Sequence, residues 1–250
     1  MNIVACVKRV PSTEALAVLG GDGKSLNTSD MLFGLSFYDD IALEGALNLK
    51  ESKGGEVTAL SIGSAGGTKE MRECLAKGAD KAIILTDEHW MERDCRSTAK
   101  VLAAQLTSMG ADVAFMGRVA TDRDNAAVGP MVATYLGWAC VTDVVELEMG
   151  DGKGTAKRET EHGVETIEFS LPAVITCDKG LYEPRKAGMK GVMGAKKKPL
   201  DEVAFEDVPN QAQITSVTLP PPRPEGRIVG EGAAAVPALI EALQNEAQVL

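Results

Sequence analysis

The residues best suited to chemistry lie in one stretch, residues 116–130, which reads MGRVATDRDNAAVGP. The apolar run 111–116 leads into it and a helical pattern follows, so the stretch predicts a strand, a loop and a helix N-terminus. Such a terminus offers unpaired N–H groups and partial positive charge to an anion. The small residues Ala126, Ala127 and Gly129 would let a phosphate approach the backbone. The stretch is therefore a candidate nucleotide site.

The polar side chains of this loop allow a second interpretation. Asp124 or Asn125 could cap the helix, which would make the stretch an ordinary strand-to-helix turn. Asp122 and Asp124 could in principle do acid/base work, but two anions beside a phosphate would repel it unless backbone donors hold them. We expect these carboxylates to cap the helix or to hold the loop. The residues alone leave the nucleotide site and the plain turn as alternatives.

The sequence lacks the common catalytic patterns. His89 and His162 lie in polar turns without Cys or His at ligand spacing, so we expect both on the surface. There is no Gly-x-Ser-x-Gly elbow, and the turn 63–67 matches neither glycine-rich phosphate motif. The five cysteines form no Cys-x-x-Cys pair, which is typical of free thiols in a reducing compartment. These observations favour a carrier or binding subunit over an enzyme.

Length and charge limit the partners of the chain. Its 250 residues can bury a large core, and its formal charge of −10 argues against nucleic acid, whose binding depends on neutralising phosphates. No apolar run reaches the roughly 18 residues of a membrane span, so no direct membrane insertion is expected. The sequence opens directly on a strand pattern at residues 1–7, without a secretory signal, and we expect a cytoplasmic protein.

One segment interrupts this acidity. Between Pro184 and Pro199 six basic residues stand among glycines and methionines, with no acidic residue. The segment is either a solvated face or a mobile contact loop, because exposed methionine adapts to several surfaces while a basic rim attracts acidic partners. The basic residues are Arg185, Lys186, Lys190, Lys196, Lys197 and Lys198.

The order of strand and helix patterns predicts an α/β fold. Strands and helices alternate as far as residue 136, which indicates a doubly wound, mostly parallel, Rossmann-like sheet with helices on both faces. Ligands collect beyond the carboxyl ends of such strands, where the loops 6–10, 62–67 and 117–129 are expected to meet. After Trp138, the extended segments 141–148, 155–158, 165–170 and 173–176 predict antiparallel strands joined to the main sheet.

The chain is expected to have two parts. Residues 1–200 form the nucleotide-binding α/β domain and contain a partner-recognition loop at about 183–199. Residues 201–250 form an extended arm with the Pro-rich run 219–224 and an amphipathic helix near 237–248. We expect this arm to pack on a partner subunit.

Several segments together resemble the β subunit of electron-transferring flavoproteins, the family that includes the FixA proteins. They occur in the order of that family and span residues 1 to about 200, and the Pro-rich arm is similar as well. The segments are 4–11 (VACVKRVP), 39–44 (DDIALE), 49–51 (LKE), 75–80 (LAKGAD), 117–130, 136–138 (LGW), 171–176 (LPAVIT), 183–185 (EPR) and 195–199 (AKKKP).

The resemblance implies a heterodimer in which an α subunit holds the redox FAD and this chain buries an adenine nucleotide. That nucleotide is AMP or, in electron-bifurcating members, a second FAD. By matching position, the adenine side falls at residues 6, 36–39 and 62, and the phosphates fall at 117–128. The cofactor-binding residues expected are Cys6, Ser36, Phe37, Tyr38, Asp39, Ile62, Gly117, Arg118, Asp122, Asp124, Asn125, Ala126, Ala127, Val128 and Gly129.

The resemblance also implies a function in electron transfer without catalysis by this chain. Flavin dehydrogenases, such as acyl-CoA dehydrogenases, would reduce the α-subunit FAD, which would pass electrons to a quinone-linked or bifurcation acceptor. Segment 183–199 matches the family's loop for recognising dehydrogenases. Met189 stands where an apolar anchor is expected, with Arg185, Lys186 and Lys190 as cationic contacts.

Departures from the family leave the nucleotide open between FAD and AMP. Residues 126–128 are Ala-Ala-Val where AMP-binding members have Asn-Gln-Thr, so backbone donors would have to hold the phosphate. Arg118 and the Val-Gly-Pro ending favour FAD, whereas Arg123 in place of glycine, Thr13 and Ser36 do not.

Two other classes of protein are alternatives. An adenylating or ATP-hydrolysing enzyme of related fold needs a Ser-Gly-Gly loop after the first strand, where residues 8–12 read KRVPS. A stress-type nucleotide-binding homodimer would need neither the arm nor the basic segment.

Overall fold

The computed structural model describes residues 1–223 and 225–250, which form two compact units, Met1–Val217 and Thr218–Leu250. Pro224 of the Pro-rich run lies outside the described residues. The strands of the first unit, in chain order, are β1 (Asn2–Cys6), β2 (Arg9–Pro11), β3 (Phe33–Leu35), β4 (Glu56–Gly63), β5 (Lys81–Thr86), β6 (Val113–Gly117), β7 (Ala139–Met149), β8 (Lys153–Thr160), β9 (Gly163–Ser170), β10 (Ala173–Cys177) and β11 (Leu200–Val203).

Nine of these strands form one sheet in the order β11-β5-β4-β1-β6-β10-β7-β8-β9, and β2 pairs with β3 separately. All neighbours from β11 to β7 are parallel, whereas β7, β8 and β9 are antiparallel. The central strands are almost continuously buried and apolar, as expected for a parallel sheet covered on both faces. The predicted α/β fold is confirmed.

The prediction that residues 173–176 form an antiparallel strand was wrong. β10 lies between β6 and β7 and runs parallel to both. All five of its residues are buried, which suits the middle of a parallel sheet, whereas β8 and β9 are largely exposed and form the ribbon at the edge. The extension outside the parallel sheet therefore consists of β8, β9 and the end of β7.

Helices cover both faces of the sheet. One face packs against α1 and α2 through side chains such as Leu43 and Met71, and the other packs against α3 and α4 through Leu102 and Val132. The helices are α1 (Phe37–Lys53), α2 (Thr68–Lys77), α3 (Cys95–Ser108), α4 (Val128–Leu136), α5 (Met189–Ala195) and α6 (Val236–Asn245).

The side of the sheet to which successive strands are added changes at β1. The chain adds β4 and β5 on one side of β1, then returns to add β6 on the other side. In open parallel sheets such a reversal leaves a crevice beyond the carboxyl ends of the strands, because the connections turn to opposite faces. Cys6, Leu60 and Met116 are register partners there, which fixes where a ligand would lie.

The second unit carries the helix α6. Val236, Leu239 and Ile240 recur at helical spacing along it and are 49%, 45% and 43% exposed, respectively. Three large apolar side chains on one stripe give the helix an amphipathic face.

Candidate functional site

A cleft lies beyond the carboxyl ends of β1, β4 and β6. It sits at the reversal of strand order. Ten residues expected to bind the nucleotide line it. They are Cys6, Asp39, Ile62, Gly117, Arg118, Asn125, Ala126, Ala127, Val128 and Gly129.

The other five expected residues do not line the cleft. Ser36 is fully buried, and its hydroxyl accepts a hydrogen bond from the backbone N–H of Thr121 at 3.4 Å. Phe37 is 48% exposed and meets the ring of Tyr38 edge-on, with 5.3 Å between the ring centroids. These three residues lie at the start of α1 and are not among those that line the cleft.

Asp122 and Asp124 contribute to the structure of the loop 117–129 itself. Both carboxylate oxygens of Asp122 accept hydrogen bonds from Lys8 Nζ, at 2.8 and 2.7 Å. Asp124 has a left-handed backbone, with φ +47°, which aspartate tolerates better than most residues. Lys8 lines the cleft, so this ion pair joins the loop after β1 to the loop after β6 at the rim.

Sequence reasoning missed one wall of the cleft. Trp90, Arg93 and Cys95 line it, and Thr98 and Leu102 of α3 continue the same wall. These residues follow β5, whose carboxyl end lies at the same edge of the sheet as those of β1, β4 and β6. The sequence could have indicated this wall. The rule that ligands collect beyond the carboxyl ends of parallel strands applies to β5 as it does to β1, β4 and β6. Of the remaining lining residues, Leu60 and Met116 lie outside the loops expected from the sequence, whereas Val7, Lys8, Val119, Ala120 and Arg123 lie within the loops 6–10 and 117–129.

The N-terminus of α4 opens into the cleft without a side-chain cap. Its N-cap is Ala127, and no side chain of the described residues bonds to it, so the prediction of a cap by Asp124 or Asn125 was wrong. Asn125 donates instead to the Sγ of Cys95 at 3.1 Å. The first N–H groups of α4 therefore remain available for an anion.

The backbone just before α4 changes handedness from one residue to the next. Ala126 has φ +50°, whereas Ala127 is right-handed, with φ −113° and ψ −29°. Such an alternation turns consecutive N–H groups toward one side and forms a concave anion site. An alanine with positive φ is uncommon and costs energy, so the surrounding structure must hold it in place.

The two glycines of the loop are required by packing within the protein. A Cβ on Gly129 would lie 2.5 Å from Cγ2 of Thr176, and a Cβ on Gly117 would collide with the Asp39 carboxylate and the backbone of Tyr38. Gly129 lets α4 approach β10, which places the helix N-terminus in the cleft.

Burial alters the charge of two side chains that line the sheet side of the cleft, Cys6 and Asp39. At neutral pH the Cys6 thiol is uncharged and the Asp39 carboxyl is only partly ionised. Burial raises the pKa of the Cys6 thiol to about 12, so Cys6 contributes an uncharged surface. Burial likewise raises the pKa of Asp39 to about 7. Its two oxygens accept hydrogen bonds from the backbone N–H groups of Lys8 and Gly117, both at 2.9 Å. Asp39 thereby joins the ends of β1 and β6.

We expect Asp39 to make stability depend on pH below neutrality. Its pKa is higher in the folded chain than the ordinary value of 3.8, so the folded state holds the proton more tightly than the unfolded state. The free energy of unfolding should therefore fall as pH rises from about 4 to 7, by a few kcal/mol in total. Urea unfolding of wild type and Asp39→Asn at several pH values isolates this contribution, and parallel pH curves for the two proteins would contradict it.

Arg118 is held at the rim by acidic neighbours. Its guanidinium donates to Asp178 at 2.9 Å, lies 3.5 Å from Asp143, and sits 5.9 Å from the centre of the Tyr38 ring. The bond to Asp178 and the charge of Asp143 raise the pKa of Arg118 further. Its charge is thus already paired at the mouth of the cleft.

Among residues 1–223 and 225–250, no group of three or more His, Cys, Asp or Glu side chains could hold a metal ion. None of the helices in that same part of the chain is long and apolar enough to cross a membrane.

The basic segment is not a plain loop, because residues Met189–Ala195 form the helix α5. Gly191 lies so close to the carbonyl oxygen of Ala76 in α2 that a side chain would not fit between them. The exposed face of α5 carries Met189, Val192 and Met193, which are 82%, 49% and 68% exposed. We call these three residues the methionine face.

Two cations of the segment hold it to the α/β unit. Arg185 makes bidentate contacts with Glu44, the closest at 2.8 Å, and also bonds to Glu51 at 2.5 Å. Lys198 donates to the carbonyl oxygens of Leu75 and Ala79 at the end of α2. The exposed lysines that remain around the methionine face are Lys186, Lys190, Lys196 and Lys197.

Fold and cleft together define an α/β protein with an uncapped helix N-terminus in a cleft at the reversal of its sheet. The model of the electron transfer flavoprotein domain matches residues 33–208. The chain is 32% identical to the electron transfer flavoprotein subunit beta of Bacillus subtilis and 33% identical to that of Bradyrhizobium diazoefficiens, in each case over all of both chains. It is 34% identical to the mitochondrial subunit beta of Arabidopsis thaliana, also over both full chains.

The chain belongs to the electron transfer flavoprotein β subunit family. This confirms the resemblance seen in the sequence, and the alternative of an adenylating or ATP-hydrolysing enzyme gains no support. Membership gives the chain a role in electron transport, associates it with flavin or AMP, and implies an α-subunit partner.

Proposed function

We propose that this chain binds an adenine nucleotide, AMP or FAD, in the cleft and serves as the rigid support for the redox FAD of an α subunit. One observation carries the proposal: the uncapped N-terminus of α4 follows a left-handed Ala126 and opens into the cleft. Backbone N–H groups there suit a phosphate without any side-chain donor. This arrangement explains how Ala126, Ala127 and Val128 can replace the polar residues of other family members.

The rest of the cleft suits the other parts of such a ligand. Leu60, Ile62, Leu102 and the neutral thiol of Cys6 provide an apolar surface for a base. Trp90 adds an aromatic ring to the same cavity. Phosphate donors at one end and apolar contacts elsewhere fit an adenylate, either alone or as half of FAD.

Electron transfer would take place on the α-subunit FAD, which supplies the redox chemistry when bound. The residues of this chain bind and support, and none of them is proposed to transfer electrons. Asp39 and the Lys8–Asp122 ion pair tie the loops after β1 and β6 together, so the cleft forms a stiff body. We propose that α6 and the rest of Thr218–Leu250 pack on the α subunit through the stripe of Val236, Leu239 and Ile240.

Partner dehydrogenases, such as acyl-CoA dehydrogenases, are proposed to dock on the methionine face. Met189 and Met193 offer adaptable apolar contact, and Lys186, Lys190, Lys196 and Lys197 attract an acidic partner. Arg185, expected from the sequence to be a docking contact, supports the segment through Glu44 and Glu51. Electrons would then pass to a quinone-linked or bifurcation acceptor. A cytoplasmic location is part of this proposal, although relatives from plants are named mitochondrial.

The ligand can be identified directly. The chain is co-expressed with its α subunit, the pair is purified and denatured, and the released compounds are measured by absorbance and mass spectrometry. One flavin with one AMP per pair, or two flavins per pair, would each support the proposal and decide the nucleotide. A well-folded pair that releases no adenine compound other than the single α-subunit flavin would contradict it.

A further inference from the structure

The wall of the cleft formed by residues 90–95 is fixed from its outer side. Arg93 bonds through Nε to the carboxylate of Asp87, donates to Asp207 at 2.6 Å, and donates to the carbonyl oxygen of Val208 at 3.2 Å. Arg93 thus links Asp87, which precedes the wall in the chain, to residues 207 and 208, which follow it. Its guanidinium also stacks on Phe205, 4.9 Å from the centre of the ring.

A second set of bonds fixes the start of α3. The carboxylate of Asp94 caps α3 by accepting from the N–H of Ser97, and it also accepts from the N–H groups of Gln211 and Ala212. The side chain of Asn210 donates to the carbonyl oxygen of Glu92 at 3.0 Å and accepts from the N–H of Asp94 at 3.0 Å. The wall is therefore anchored to residues 205–212 at many points.

On the opposite side of the cleft, the bonds from Lys8, Asp39 and Ser36 hold the loop 117–129 at residues 117, 121 and 122. The loop 117–129 contains Asp124 and Ala126 with positive φ, and such conformations persist only where neighbouring groups hold them. Two side chains cross from this loop to the wall. The Arg123 guanidinium donates to the carbonyl oxygens of Met91 and Arg93, the latter at 3.1 Å, and Asn125 donates to Cys95.

We propose that Arg123 is a positioning residue for nucleotide binding, which fastens the strained phosphate loop to the wall 90–95. The inference rests on the proposed nucleotide site. Arg123 occupies a place where the sequence resemblance leads one to expect glycine, and its planar fork reaches two carbonyl oxygens at once. Through this bridge the rigidity of the wall keeps the N–H groups of Ala126, Ala127 and Val128 aimed at the phosphate.

Two other roles for Arg123 make different predictions. It lines the cleft, so its charge could pair directly with a phosphate. In that case lysine would replace it well, and its loss would weaken the dependence of binding on salt. Alternatively its bonds could support only the fold, in which case its loss would lower the melting temperature without changing nucleotide release.

The test uses the full-length chain paired with its α subunit. It measures how fast the bound nucleotide dissociates, by radiolabel for AMP and by fluorescence for FAD. We expect Arg123→Gln to release the bound nucleotide at least tenfold faster than wild type. Arg123→Lys should release it several-fold faster, because an ammonium cannot hold both carbonyl oxygens in the same geometry. The change of affinity with salt concentration should stay as in wild type.

The control is Arg158→Gln, which removes an arginine bonded to Glu165 and Thr142 on the β8–β9 ribbon, and it should release nucleotide at the wild-type rate. Release from Arg123→Gln within twofold of wild type would overturn the inference. So would a wild-type rate for Arg123→Lys combined with a weaker salt dependence for Arg123→Gln. A wild-type pair that binds neither AMP nor a second FAD would instead refute the proposed function itself.

Discussion

The Gly129→Ala variant is expected to unfold more easily than wild type and to bind its adenine nucleotide at least tenfold more weakly. The new Cβ would lie 2.5 Å from Cγ2 of Thr176, and Thr176 is almost completely buried. Thr176 cannot turn away freely, because its hydroxyl accepts from the N–H of Asp143 at 3.0 Å. The first turn of α4 would have to shift by about 1 Å to restore normal contact, which misplaces its N–H groups.

Overpacking of this kind costs about 1–3 kcal/mol in the free energy of unfolding. Urea denaturation and equilibrium binding of radiolabelled AMP or FAD measure the two effects. The matched control is the double variant Gly129→Ala with Thr176→Ser, which removes only Cγ2 and keeps the hydroxyl bonded to Asp143. We expect it to recover most of the lost affinity. A double variant no better than Gly129→Ala would show that the contact with Thr176 is not the reason for the glycine.

The Gly191→Ala variant is expected to slow electron transfer from partner dehydrogenases at least tenfold while leaving the bound nucleotide in place. Its Cβ would collide with the carbonyl oxygen of Ala76, and a backbone atom within α2 cannot give way as the end of a side chain can. α5 would therefore move away from α2 and carry the methionine face with it. Stopped-flow reduction of the α-subunit FAD by a partner dehydrogenase measures the effect.

Gly194→Ala is the matched control for this experiment. Gly194 lies in the same short helix, but no described atom lies within 4 Å of the place its Cβ would take. Alanine favours a helix over glycine by roughly 1 kcal/mol, so this variant should be at least as stable as wild type and should transfer electrons normally. Equal rates for Gly191→Ala and wild type would remove the position of α5 from the docking mechanism.

The loop 117–129 shows how much of the site the local sequence pattern could predict. An apolar strand, a polar loop and small residues before Pro130 predicted the strand, the loop and the helix start that lies in the cleft. The pattern could not show that Asn125 turns to Cys95, because that bond joins residues 30 apart in the chain. Nor could it show that Gly129 faces Thr176, since the partner lies on a strand that enters the sheet much later.

The basic segment shows that local sequence has the same limit in predicting which charged side chains are paired within the protein. Its composition predicted a cationic surface with exposed methionines, and Met189 and Met193 are indeed exposed. Composition could not separate the cations that hold the segment from those left for a partner. Arg185 and Lys198 belong to the first group only because Glu44 and the end of α2 come to lie beside them in the folded chain.

By itself the sequence determined the class of fold, the strand-to-helix loops beyond the carboxyl edge of the sheet, and the family of the chain. Those properties depend on periodicity and local motifs, which neighbouring residues encode. Tertiary structure alone decided the parallel direction of β10 and the bridge from Arg123 to the wall at residues 90–95. Each of these depends on which distant segments become neighbours, and that is settled only when the whole sheet buries its apolar faces.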